Sequence, residues 1–71
     1  MRILLNGDPA DLPGPMSLQA LLERLQIDPR GVAVECNRVV IKRARLAETM
    51  VTEGAEVEIV AFVGGGTDGR P

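Results

Sequence analysis

Glu56-Val57-Glu58-Ile59-Val60-Ala61-Phe62-Val63 runs straight into Gly64-Gly65-Gly66, and the reading of the whole chain turns on these residues. The segment 56–63 is rich in β-branched side chains and free of Pro and Gly, which makes it the longest strand candidate in the chain. Strand alternation puts Val57, Ile59, Ala61 and Val63 on one face and Glu56, Glu58, Val60 and Phe62 on the other. The first set is apolar throughout and belongs against a core. The second begins charged and ends apolar.

What covers the first face lies upstream. Ser17 is a good N-cap, and Leu18, Leu21, Leu22 and Leu25 come after it at i, i+3, i+4 and i+7, with Gln19, Glu23, Arg24 and Gln26 on the opposite side. This predicts a helix of about ten residues with a single apolar stripe, so one side of it lies on a sheet. Asp28-Pro29-Arg30-Gly31 is expected to end it, because Pro29 disfavours helical geometry at Asp28.

The remaining elements are short. Arg2 to Asn6 reads as a strand turning at Asn6-Gly7-Asp8 into a return strand around Ala10 to Leu12, which Pro13-Gly14-Pro15 cuts off. Val32, Val34 and Cys36 alternate with Ala33, Glu35 and Asn37, the period of a half-buried strand. Asn37-Arg38 turns into the β-branched run Val39-Val40-Ile41, Lys42 to Ala47 is expected to form at most a helical turn, and Thr52 to Ala55 is a further turn. Hairpin, helix, strand, short strand and long terminal strand in that order is the α+β pattern of a β-grasp fold. The expected architecture is a mixed sheet with one main helix across one face, the last strand lying centrally beside the first. A single helix leaves the other face bare. Val60 and the protein's lone aromatic ring, Phe62, are therefore expected to be exposed there, as a surface for a partner.

Composition narrows the chemistry. The 71 residues suit one domain: a folded unit over 1–63 and a Gly-rich tail over 64–71, expected to be mobile because nothing in it offsets its ordering entropy. There is no His, Trp or Tyr, and one Cys. That removes His-based catalysis, a Cys/His metal site, a disulfide framework and aromatic base-stacking. No catalytic residue and no metal ligand is assigned. A net charge of −2 argues against nucleic acid as a partner, and no apolar run approaches the length of a membrane span or a signal-peptide core. One unpaired Cys fits a reducing compartment, so the cytoplasm is the expected location. Cys36 falls on the inward side of its strand and is read as a structural thiol. Arg38, Lys42, Arg43 and Arg45 concentrate four cations in a short stretch, either a solvated face or a dock for an acidic surface.

Three segments carry a resemblance covering residues 1 to 66. They are the opening Met1-Arg2-Ile3-Leu4-Leu5-Asn6-Gly7, the strand Val32-Ala33-Val34-Glu35-Cys36-Asn37, and the ending Glu58-Ile59-Val60-Ala61-Phe62-Val63-Gly64-Gly65-Gly66; the Leu21-Leu22-Glu23 helix matches more generically. The chain resembles the ThiS family of thiamine-biosynthesis sulfur carriers, ubiquitin-like β-grasp proteins. The resemblance implies that an E1-like, ThiF-type enzyme uses ATP to adenylate the carboxylate of Gly66, with Gly64 and Gly65 completing the motif. It implies that sulfur is then installed as a thiocarboxylate and consumed by a ThiG-type thiazole synthase. Val60, Phe62 and Val63 would help dock these partners, and the chain itself would bind no cofactor and be no enzyme. Members of the family end at the final Gly, whereas this chain continues from Thr67 to Pro71. Gly66 as written thus has a peptide carbonyl: either a trimming protease removes Thr67 to Pro71 before loading, the favoured reading, or the chain is a relative that no longer carries sulfur, or the five residues are a cloning remnant. The alternatives are a molybdopterin-type carrier and a β-grasp adaptor that only binds proteins.

Overall fold

The computed structural model describes residues 1–62; the expectations placed on Val63, on Gly64 to Gly66 and on the five residues after them lie outside that range. The chain forms β1 (Arg2–Leu5), β2 (Asp8–Asp11), β3 (Met16–Ser17), α1 (Leu18–Arg24), β4 (Val32–Cys36), β5 (Val39–Ile41), β6 (Met50–Val51) and β7 (Glu56–Ala61), with 3-10 turns at Pro29–Gly31 and Arg43–Arg45. Five strands make one mixed sheet in the order β2-β1-β7-β4-β5. β7 runs parallel to β1 and antiparallel to β4, so the terminal strand is central, as its composition predicts.

α1 covers one face of this sheet. Leu18, Leu21 and Leu22 are buried with Ile3, Val34, Cys36 and Val57, and Leu46, Val51 and Ala55 close the core from the β5–β7 connection. The other face has no helix. That asymmetry sets the site.

Both hairpins turn on a left-handed Asn. Asn6 (φ 52) and Gly7 (φ 85) join β1 to β2, and Asn37 (φ 52) and Arg38 (φ 69) join β4 to β5. Two consecutive positive φ values in a two-residue loop make a turn whose twist matches the flanking strands. The two asparagines also clamp β7 from either side. Asn6 Oδ1 accepts the Ile59 N–H at 2.8 Å while its Nδ2 donates to the Ile59 carbonyl at 3.3 Å. Asn37 Oδ1 accepts the Glu56 N–H at 3.0 Å, and the Asn37 N–H donates to the Glu56 carbonyl at 2.7 Å.

Two expectations need correction, and one pairing was not foreseen. The return strand spans Asp8–Asp11 and includes Pro9, which an edge strand tolerates because its missing N–H can face away from the ladder. α1 is seven residues long and ends before Pro29 can act. Its end is set by Gln26 in the left-handed region (φ 60), where the Gln26 N–H donates to the Glu23 carbonyl and the Ile27 N–H to that of Leu22. This pair of bonds is a Schellman motif with Gln at the place where Gly is usual. Leu25 consequently sits at the cap and is more than a third exposed. Finally, β3 and β6 pair as a separate two-stranded sheet that the sequence pattern does not announce.

Candidate functional site

β7 is the element that delivers the chain end, and its two faces diverge as the alternation predicts. Val57 is buried and Ile59 half-buried beneath α1, while Val60 is 58% and Phe62 66% exposed on the bare face. Ala61 departs from the pattern: it is on the helix side yet exposed, because α1 stops short and leaves an open groove of about 430 Å³ between Leu25, Ile27, Val32 and Ile59.

Cross-strand register assembles the bare face. Ala33 stands opposite Val60, and Glu35 lies between Val40 and Glu58. Val60, Phe62, Ala33 and Val40 thus form an apolar strip leading to the point where the chain leaves the sheet. Beside it lie Glu35, Glu56 and Glu58. Glu35 and Glu58 oppose each other directly, an arrangement that costs stability on an exposed sheet, and neither joins an ion pair among the described residues.

The base of the strip is tied down. The Phe62 N–H donates to the Gly31 carbonyl at 3.0 Å, which latches the last described residue to the Pro29–Gly31 turn. Asp28 caps that turn by accepting the Arg30 N–H at 2.9 Å and pairs with the Arg30 guanidinium at 2.7 Å. Those bonds from Arg30 hold the Asp28 carboxyl down to about 2. A shallow depression of about 310 Å³ beside Phe62 is bordered by Val40, Arg30 and Arg43.

Nothing in the described residues assembles catalytic machinery. No group of three or more His, Cys, Asp or Glu is placed to hold a metal ion among them. Cys36 is buried and its thiol is pushed up by desolvation, which disfavours the nucleophilic thiolate. Of the basic stretch, Arg38 reaches Glu56 at 3.5 Å and Arg45 reaches Glu48 at 3.1 Å, both in the open. Of the residues singled out in the sequence, Val60 and Phe62 share one exposed strip, and Val63, Gly64, Gly65 and Gly66 lie outside the described residues. The sequence reading missed the two asparagines that brace β7. Asn at the first position of each hairpin turn signals the turn but not the brace.

A mixed sheet grasping one short helix, with the terminal strand at its centre, defines a ubiquitin-like β-grasp protein. The ThiS family model matches residues 3–66, and the chain belongs to that family. It is similar to the crystal structure of thiamine biosynthesis protein ThiS from Geobacter metallireducens, with a TM-score of 0.82 and 33% identity over 93% of this chain and 100% of that one. It is 40% identical over 68 residues to a thiazole synthase of Paramagnetospirillum magneticum, a match covering 96% of this chain and 21% of that protein. The chain therefore spans about a fifth of the length of that relative. The uncharacterized protein ycf40 of Porphyra purpurea is 34% identical, with 90% of both chains covered. No helix among the described residues is long and apolar enough to cross a membrane.

Proposed function

We propose that this protein is a sulfur carrier for thiamine thiazole formation, with Gly66 as its reactive residue once Thr67 to Pro71 are removed. The observation that supports this best is the reach of the family match, which ends at Gly66, five residues short of the end of the sequence. In this reading residues 1–63 are the docking domain, and 64–71 a tail whose first three residues carry the motif and whose last five are removed. Free of Cβ atoms, Gly64, Gly65 and Gly66 can thread a narrow active site in extended form.

The chemistry belongs to the terminal carboxylate and to the partners. An E1-like, ThiF-type enzyme joins the Gly66 carboxylate to AMP from ATP and releases pyrophosphate. Hydrosulfide then attacks the acyl carbon, the C–O bond to AMP breaks, AMP leaves, and the glycyl thiocarboxylate remains. The chain is a substrate in both steps, holds no cofactor, and works in the cytoplasm. A ThiG-type synthase as the final acceptor is supported by the relative named thiazole synthase, in which a segment like this chain is part of the same polypeptide.

Docking is assigned to the strip of Val60 and Phe62 and to Val63, the next residue in the sequence. Apolar side chains this exposed at the foot of the tail are useful only when covered. Phe62→Asp on the form ending at Gly66 tests this. Loss of the buried anchor and desolvation of a new carboxylate should raise the KM for the activating enzyme by roughly tenfold or more, with the urea midpoint unchanged. An unchanged KM would remove Phe62 from the interface.

A further inference from the structure

The two edges of the main sheet are treated differently. β2 is guarded: Asp8-Pro9-Ala10-Asp11 sets a proline and two carboxylates along its free edge. β5 is open. Val39 and Val40 are 58% and 67% exposed, and nothing packs beyond them among the described residues. The two-residue turn at Asn37-Arg38 makes Cys36 and Val39 the hydrogen-bonded pair of the hairpin. The ladder alternates from there, so the N–H and C=O of Val40 point away from β4 and toward solvent.

Charge says what fits. Arg38 precedes the strand, and Lys42 and Arg43 come after it, all exposed. Arg38 stands in a left-handed backbone position (φ 69) and meets Glu56 at 3.5 Å in the open, a contact a partner carboxylate can exchange with. A second copy is a poor occupant, since antiparallel pairing of two β5 strands about Val40 sets Arg38 against Lys42 of the other copy. A segment with β-branched residues at its centre and carboxylates at both ends meets each feature of the edge.

We propose that the β5 edge accepts an extended, acidic-flanked segment of another protein as a sixth strand of the sheet. Backbone bonds to Val40 supply the register, and Arg38, Lys42 and Arg43 select the flanks. Val40 and Arg43 also border the depression beside Phe62, but the peptide titration needs no sulfur loading, so its failure is distinguishable from failure of the carrier reading.

The test is a titration of the isotopically labelled full chain with a synthetic peptide having a Val-Thr-Ile-Thr-Val centre and two carboxylate residues at each end. The same peptide with lysines at both ends is the comparison. The expected result is saturable amide shifts confined to residues 38–43 and their β4 neighbours, weakened several-fold by raising salt to physiological strength. Val40→Pro removes the outward N–H at a position where an edge strand tolerates proline, and should abolish the shifts while the rest of the spectrum stays in place. Should that variant unfold, the pair Arg38→Glu and Lys42→Glu leaves the ladder intact and should transfer binding to the lysine-ended peptide. Equal binding of both peptides to the native chain, shifts located elsewhere, or no shifts at all would overturn the proposal. So would a dimer in sedimentation that Val40→Pro dissolves.

Discussion

Asn6 and Asn37 do two things at once that no other residue type combines as cheaply. Each adopts the left-handed conformation its turn demands, and each side-chain Oδ1 accepts an N–H of β7, with the Asn6 amide also donating to the Ile59 carbonyl. Asparagine visits that region at lower cost than other non-glycine residues, and its amide offers both an acceptor and a donor. Substitution separates the two contributions. Asn6→Gly keeps the turn but drops the bonds to Ile59, and should cost about 1 kcal/mol. Asn6→Ala loses both and should cost about 2–3 kcal/mol. Urea unfolding with a constant m-value measures each, and a glycine variant as stable as the native chain would mean that the side-chain bonds contribute nothing. The turns themselves were legible from Asn-Gly and Asn-Arg. The clamps were not, because a turn residue's tertiary partner leaves no local pattern.

The helix shows where element-scale reading works and where it stops. Ser17 caps α1 as its residue type predicts, accepting the Ala20 N–H at 3.0 Å, and the leucines at helical spacing are the buried ones. The C-terminus was misplaced because proline is a visible breaker, whereas a glutamine held left-handed by a Schellman motif is not. That geometry yields its own test. Glycine at position 26 relieves the side-chain crowding of the left-handed conformation, partly offset by the looser unfolded chain. Gln26→Gly should therefore stabilise the protein by about 0.5–1 kcal/mol, raising the thermal midpoint by a few degrees. A lowered midpoint would show that Gln26 makes contacts outweighing its strain. The β3–β6 pair escaped the sequence for a different reason. Two-residue strands have no periodicity to read; their pairing depends on the chain returning past α1.

At the scale of the whole molecule, the fold secures one strand from both sides. β7 is held on both sides by β1 and β4, braced by two asparagines, and latched at Phe62, the last described residue. The central place of β7 was legible in the sequence, since the longest β-branched segment follows a lone helix; the asparagine braces and the Phe62 latch were not. The exposed strip of Val60 and Phe62 was equally legible, because alternation forces it once the helix covers a single face. Its extension through Ala33 and Val40 was hidden until strand order and register brought them alongside.

The central claim is that Gly66 carries sulfur. The most direct measurement is intact mass after incubating two forms of the protein, the full chain and one ending at Gly66, with ATP, the cognate activating enzyme and a sulfide source. The form ending at Gly66 is expected to exchange one oxygen for one sulfur, and the full chain to remain unchanged unless Thr67 to Pro71 are first removed. A Gly66-ended form that gains neither adenylate nor sulfur would contradict the account and leave a binding module in its place.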